Sequence, residues 1–360
     1  MKLKFYKYRF PFSSPLITSK ATYRFREGII LEYSSDGFSC YGEAAPLPGF
    51  SAEILDDIEQ KITQKKSEFK SILTSGNAVD ALQKLYQESY IPASMQFGLD
   101  SLAYQVEAYR AGTNLQDFLF GNAPQKIPVN AVVSLHSDYF ISKVEKFISE
   151  GFQTIKFKAG LDLELEYERL KKVRAKFPAL AIRLDANQAW TVDDAVRHLS
   201  KLQKLEIEYC EEPLKEPDAN KYQKLSDETD IPLALDESLT QQVDWHSMLP
   251  FVAVLILKPM LFGSFTKIFV TKRLGDTHDS KVVLTSALES GVGRMITSIL
   301  ASGLGSQNLA QGLNTSQFLA TDIYSDASHI NNGMYDLSYY QKWIKIQLNN
   351  LQNKSIIIIE

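Results

Sequence analysis

Histidine and cysteine are scarce in this chain, five and two in 360 residues. The two cysteines, Cys40 and Cys210, exclude the disulfide framework of a small secreted fold and leave only a single bridge between them open. Cys210 reads as a small buried hydrophobe. No run approaches the ~18 apolar residues of a membrane span. Residues 1–15 alternate charge with apolar side chains and lack the apolar core of a secretory signal. Neither sign of charge dominates, since 39 Lys and Arg against 43 Asp and Glu leave a formal net charge of −4. That balance argues against a nucleic-acid binder, which carries a basic patch. The lysines are scattered, which argues against a polybasic membrane anchor. The expected compartment is the cytosol, where the sequon Asn314-Thr315-Ser316 carries no meaning. The expected partner is a small molecule, and the chain is expected to be a monomer or a homo-oligomer.

What is present is ordinary globular composition, 44% hydrophobic and 23% charged, enough for a large core and more than one domain. Residues 1–125 read as strands followed by helices: strands at 2–10, 28–33 and 38–44, a Pro- and Gly-rich loop at 45–50, and helices at 51–73, 79–88 and 94–111. This is an α+β pattern. From residue 126 short apolar runs alternate with polar-patterned helices. The runs are 127–135, 154–159, 181–186, 207–211, 233–236, 253–258, 281–284 and 309–313. Helices are expected between them at 139–150, 163–176, 191–205, 221–229, 243–249, 264–276 and 294–302. Strands alternating with helices imply parallel pairing with right-handed crossovers. At this length the α/β reading is a closed (β/α) barrel, which typically needs ~250 residues. A doubly wound open sheet is the alternative. Barrel rhythm ends near residue 316, and 317–360 is expected to pack back on the first domain.

The informative feature is the chemistry at the C-terminal ends of these runs. In order they carry Lys156-Phe157-Lys158, Asp185-Ala186-Asn187, Glu211-Glu212-Pro213, Asp236-Glu237-Ser238, Lys258-Pro259 and the segment from Ser286 to Gly291. In a barrel this edge is the active-site face. Strand side chains alternate, so Lys156 and Lys158 share a face. Charges inside a barrel are costly unless paired or bound to metal. Three carboxylates from adjacent strands, Asp185, Glu211 and Asp236, make a hard oxygen site suited to Mg²⁺, with Mn²⁺ as a substitute. Lysines close to one another and to a dication are expected to have lowered pKa values and to act as general bases. Taken singly, each group has a plainer reading. A strand-end Asp is usually a cap or turn former, Asp236-Glu237-Ser238 could cap the next helix, and Lys158 could be a solvated lysine. Their joint occurrence in register favours the functional reading. His136, His198, His246, His278 and His329 are read as structural or surface residues.

At these residues the sequence resembles the enolase superfamily, in its muconate lactonizing subgroup. Lys156-x-Lys158 is similar to that subgroup's second-strand motif, Asp185, Glu211 and Asp236 to its metal ligands, and Lys258 to its sixth-strand lysine. No His ends the seventh run, unlike the mandelate racemase branch. Gly42-Glu43-Ala44-Ala45-Pro46-Leu47-Pro48-Gly49-Phe50-Ser51 resembles the lid segment of the o-succinylbenzoate synthase family. Arg183-Leu184-Asp185-Ala186-Asn187-Gln188-Ala189-Trp190 resembles that family's third-strand motif, and Leu257-Lys258-Pro259 and Ser286 to Gly293 its sixth and seventh strand ends. Asn314 stands where many members have Asp.

The resemblance implies a modified (β/α)7β barrel with an N-terminal α+β capping domain, residues 11–23 forming a second lid loop. It implies a Mg²⁺-dependent dehydration of 2-succinyl-6-hydroxy-2,4-cyclohexadiene-1-carboxylate to o-succinylbenzoate, in menaquinone biosynthesis. Lys158 would remove and return the proton, Lys258 would stabilise the enediolate, and Lys156 would hold the carboxylate and tune Lys158. Asn187 would support the ligands, Ser286, Ser290 and Gly291 would hold the succinyl tail, and Phe50 would come from the lid. The alternatives are an N-acylamino acid racemase or a bifunctional enzyme on the same residues, and a metal-independent Schiff-base lyase using Lys258 or Lys158. A dipeptide epimerase would want an acidic group where Asn314 stands, and a non-catalytic binding protein would be expected to have lost part of the set.

Overall fold

The structure is a computed structural model that describes residues 1–17, 22–35, 37–323, 329–339 and 356–359. Three strands, β1 (Lys2–Ile17), β2 (Thr22–Ser35) and β3 (Phe38–Ala44), form an antiparallel meander, with Ile356–Ile359 added outside β1. Alternation along β1 sorts its side chains onto two faces. Leu3 and Phe5 pack with Ile29, Leu31 and Tyr33 against the cap helices. Tyr6, Tyr8 and Phe10 point the other way and join the larger core shared with the barrel. The cap helices are α1 (Leu55–Thr74), α2 (Ala78–Glu88) and α3 (Ala93–Arg110), followed by the short α4 (Leu115–Phe120). Helix α1 buries Ile58, Ile62, Phe69 and Leu73, a helical stripe on one face.

The expected second lid loop at 11–23 is largely a β ribbon. Leu16 pairs with Tyr23 and Ile17 with Thr22, after a register shift between Pro11 and Leu16. Pro11 has no N–H to donate, and its carbonyl instead accepts from Ala320 N. Residues 18–21, in the middle of that expected loop, lie outside the described residues, as does much of the expected returning tail.

A seven-stranded parallel sheet follows: β5 (Ala131–Ser134), β6 (Thr154–Lys158), β7 (Ala181–Asp185), β8 (Ile207–Glu211), β9 (Leu233–Leu235), β10 (Val254–Leu257) and β11 (Lys281–Leu284). The helices between and after them are α5 (Phe140–Ser149), α6 (Leu163–Lys176), α7 (Val192–Leu202), α8 (Ala219–Glu228), α9 (Pro259–Phe262), α10 (Phe265–Thr277) and α11 (Gly291–Leu304). Where a helix at 243–249 was expected, Trp245–Phe251 is a 3₁₀ stretch containing Pro250, whose missing N–H disfavours an α-helix.

The run 127–135 is two strands rather than one. Residues Lys126–Pro128 (β4) pair antiparallel with Met334–Asp336, whereas β5 enters the barrel. The chain changes partners at Val129 and Asn130, whose amides donate to Gly333 O and Gln311 O.

The sheet closes. Val129 bridges to Gln311 on one edge, and Thr285 bridges to Gly312 on the other, both parallel. The run 309–313 is therefore the eighth stave, which excludes the open-sheet alternative. It falls short of a regular strand because the Gln311 side chain takes the Leu284 amide at 2.8 Å, and because a Cβ at Gly312 would meet Thr285 Oγ1 at 2.4 Å. Inside the barrel, Tyr209, Ala234, Val254, Ile256, Val283 and Leu309 form a separate apolar cluster. The residues between them along the strands, such as Cys210, Leu235 and Leu255, belong to the layer under the helices.

Candidate active site

The parity that turns Tyr209, Ala234 and Ile256 inward also turns Lys156, Lys158, Asp185, Glu211, Asp236 and Lys258 inward, at the C-terminal ends of five successive strands. Register aligns Lys158 with Asp185 and Asp185 with Glu211. Lys156 Nζ lies 2.9 Å from Asp185 Oδ2 and 3.0 Å from Glu211 Oε1, so its ammonium bridges two carboxylates. Lys158 Nζ donates to the same Asp185 oxygen at 2.6 Å and to Asn187 Oδ1 at 2.8 Å. Lys258 Nζ lies 2.5 Å from Asp236 Oδ2. The three carboxylates are buried, at 1%, 1% and 4% exposure for Asp185, Glu211 and Asp236. Asp236 makes no side-chain cap on the 3₁₀ turn that follows it, which removes its plainer reading. Asp185 does keep a local turn contact, accepting from Asn187 N at 3.2 Å.

The electrostatics are those of a crowded ion cluster. Burial alone would raise the Asp185 carboxyl, but Lys156 and then Lys158 hold it well below the usual carboxylate range. Burial and then the charge of Asp185 push Glu211 up, against Lys156. Burial works against the charges on Lys156 and Lys258, yet Asp185 and Glu211 hold the first above the ordinary lysine value, and Asp236 and Glu237 the second. In this ion cluster Lys156 and Lys258 each rest on carboxylates that favour the charged form, whereas the lowering expected from the sequence was drawn for lysines beside a dication.

The donor set nevertheless fits a hard divalent cation. It is all carboxylate, three buried groups from adjacent strands, the oxygen chemistry a hard dication takes. Among the described residues no group of three or more His, Cys, Asp and Glu is arranged to hold a metal. In this arrangement the lysine ammoniums take the oxygens that a cation would need.

Sequence reasoning missed two supporting carboxylates. Glu212 is fully buried, and its carboxylate accepts from Asp236 N and Ser238 N, both at 2.8 Å, Ser238 Oγ at 2.9 Å and Gln188 Nε2 at 3.0 Å. It thereby fixes the backbone that presents Asp236. Burial and then Glu237 push its pKa up to about 7. Its φ of 43° lies in the left-handed region, as do those of Asn187 and Gln188 at 45° and 59°, so the turns after β7 and β8 both hold non-glycine residues in a conformation they rarely adopt. Glu237 accepts from Asn187 Nδ2 at 2.8 Å, while its other oxygen is buried without a partner among the described residues. The signal for Glu212 was a second acid between a strand end and Pro213.

The remaining expected residues divide. Phe50 of the loop after β3 reaches the cluster, its ring centroid 5.9 Å from Lys258 Nζ. Ser286 Oγ accepts from Thr315 Oγ1 at 2.8 Å and from Leu288 N at 3.1 Å. Ser290 caps α11 and gives both its amide and its hydroxyl to Glu43, and Gly291 N donates to Asp322 at 2.9 Å. The Ser290 and Gly291 donors are already used within the protein, whereas Ser286 only accepts in these contacts. Asn314 lines a polar groove with Lys146, Phe152 and Asn331. Among the histidines, His136 Nε2 lies 2.8 Å from Glu166, which also gathers the amides of Gly160, Leu161 and Asp162 just beyond Lys158.

Comparison with known proteins agrees with this geometry. Residues 140–339 match the enolase C-terminal domain-like family, and residues 1–105 match the family described as MenC, N-terminal domain. The o-succinylbenzoate synthase of Pasteurella multocida is 27% identical over 327 residues, covering 87% of this chain and 89% of the relative. The D-Ala-D/L-Ala epimerase of Cytophaga hutchinsonii is 26% identical over 274 residues, covering 74% and 73%. The solved muconate lactonizing enzyme of Pseudomonas fluorescens shares the fold with a TM-score of 0.80 at 18% identity, covering 93% of each chain. The resemblance read from the sequence is borne out, and the chain belongs to the enolase superfamily.

Proposed function

We propose that this protein is an o-succinylbenzoate synthase, a carbon–oxygen lyase dependent on Mg²⁺ and acting in the cytosol on a small carboxylate. The observation that carries the reading is one inward-facing cluster holding Lys156, Lys158, Asp185, Glu211, Asp236 and Lys258. The similarity to the Pasteurella synthase supports the choice of reaction.

On this reading Asp185, Glu211 and Asp236 would hold the cation. When bound, it supplies positive charge to the substrate carboxylate and to the enediolate that forms as the α-proton leaves. Asp185 and Glu211 favour the charged form of Lys156, and Asp236 and Glu237 that of Lys258. Lys158, the most exposed of the three lysines, with its side chain at 43%, faces the space where substrate would sit. It takes the α-proton into its Nζ lone pair and gives that proton back to the departing hydroxyl. The C–H and C–O bonds break, the ring becomes aromatic, and water leaves. Lys258 stays an ammonium and offsets the negative charge, with Phe50 near it to exclude water. Lys156 binds Asp185 and Glu211 and keeps positive charge beneath Lys158.

A second reading, 1,1-proton transfer on an N-acylamino acid, is favoured by the epimerase at comparable identity and by a lysine at each end of the carboxylate row. A Schiff-base lyase through Lys258 is disfavoured because Asp236 keeps that lysine charged and a nucleophilic amine must be neutral. The deciding experiment offers the protein the cyclohexadiene carboxylate and, separately, N-succinyl amino acids in D₂O. Aromatisation much faster than α-deuteration supports the synthase, and the reverse order assigns the racemase.

A further inference from the structure

Two buried charges in the cap take no part in the chemistry above, and both lie where the cap meets the barrel. Arg26 on β2 is 1% exposed. Its Nε donates to Leu288 O at 3.0 Å, Nη1 to Pro46 O at 2.7 Å and Glu27 O at 2.8 Å, and Nη2 to Ala45 O at 2.5 Å. Buried guanidinium groups usually meet a carboxylate, since desolvating the charge costs several kcal/mol. Here, among the described residues, it is satisfied by carbonyls of three segments: its own strand, the base of the lid loop, and the loop after β11 that carries Ser286. Leu288 has a φ of 62°, a conformation a leucine holds only when its surroundings enforce it. Glu43, the residue two before Ala45, secures the other side of the same junction. It accepts from Tyr8 Oη at 2.5 Å, Ser290 N at 2.9 Å, Ser290 Oγ at 2.5 Å and Gly293 N at 2.8 Å. A Cβ at Gly293 would come within 2.9 Å of Glu43 Oε2, so the helix start is shaped to admit that carboxylate.

We propose that Arg26 is a positioning residue that locks the base of the lid, residues 45–50, in register with the loop 286–290, so that the two move and bind substrate as one unit. The inference rests on the carboxylate-substrate reading above. Arg26 touches neither the lysines nor the carboxylates of the cluster, so its effect falls on substrate binding rather than on proton transfer.

The test is Arg26→Met and Arg26→Lys in the full chain, read by amide hydrogen exchange and by steady-state kinetics. Exchange is expected to rise together over 45–50 and 286–290 in Arg26→Met while 154–158 and 207–211 stay protected. KM is expected to rise about tenfold, the equivalent of one charge-assisted hydrogen bond, with kcat nearly unchanged. Arg26→Lys keeps the charge but cannot span three segments, so intermediate effects are expected. It also serves if Arg26→Met does not fold. Unchanged exchange at either segment in a folded variant, or a fall in kcat at constant KM, overturns the proposal. Exchange needs no substrate, so a wild-type protein inactive on the cyclohexadiene would count against the function without deciding the role of Arg26.

Discussion

The Lys258 ammonium rests on the Asp236 carboxylate at 2.5 Å, a contact that joins a group proposed to face the substrate with a group proposed to hold the metal. The same holds for Lys158 on Asp185 at 2.6 Å. Each pair offsets the desolvation of the other's charge, and a cation entering the row must compete with the lysines for the oxygens. On the proposed function, metal binding and lysine basicity would be coupled through these shared carboxylates.

Lys158→Ala is expected to lower kcat by about 10²–10⁴, the usual contribution of a positioned acid–base group, and to abolish α-proton exchange with solvent. Lys258→Ala is expected to slow dehydration while exchange through Lys158 remains measurable. Loss of exchange from one enantiomer only, in each single variant, is instead the signature of the racemase. Rapid-quench turnover and mass-detected deuterium uptake read both outcomes.

Asp100 predicts a specific pH dependence of stability. It is buried in α3 and accepts from Phe265 N at 2.8 Å, Tyr86 Oη at 2.8 Å and Gln83 Nε2 at 3.3 Å, joining the cap to α10. Burial pushes its pKa from 3.8 up to about 7, against these hydrogen bonds. Between those values the folded protein keeps the proton and the unfolded chain has lost it, so raising the pH favours unfolding. The stabilisation is complete below the lower value and is lost as pH rises through the upper one, at about 1.4 kcal/mol per pH unit at most. Asp100→Asn is expected to flatten the stability profile between about pH 4 and 7 in urea titrations. An unchanged slope would falsify the assignment to Asp100.

Gly42→Ala is expected to destabilise the fold by about 3 kcal/mol, because the new Cβ has nowhere to go. It would meet the Gly98 carbonyl oxygen at 2.2 Å, a backbone atom of α3 that cannot rotate aside. A denaturation midpoint within error of wild type would show that β3 and α3 can separate without cost.

Much of this was legible in the sequence, for physical reasons. Parallel strands buried on both faces leave short apolar runs, and charges at their ends stand out because a barrel interior tolerates few. Lys156, Asp185, Glu211, Asp236 and Lys258 could therefore be picked out one run at a time. The closing stave was legible as a run at 309–313, but its form was not, because the Gln311 side chain replaces part of a backbone ladder. Glu212, Glu237, Arg26 and Glu43 were not legible as functional supports. Their roles depend on partners far away in the chain, as with Glu43 and Ser290, 247 residues apart. Nothing local distinguishes such a residue from a surface charge until the fold brings its partner to it.

The most direct measurement follows the ultraviolet change as 2-succinyl-6-hydroxy-2,4-cyclohexadiene-1-carboxylate aromatises, first with Mg²⁺, then in EDTA, then with Mg²⁺ or Mn²⁺ restored. The account predicts turnover that chelation abolishes and metal restores, and no turnover in Asp236→Asn at any metal concentration that saturates the wild type. Turnover that persists in the chelator, or a folded wild-type protein inert with metal supplied, would contradict it.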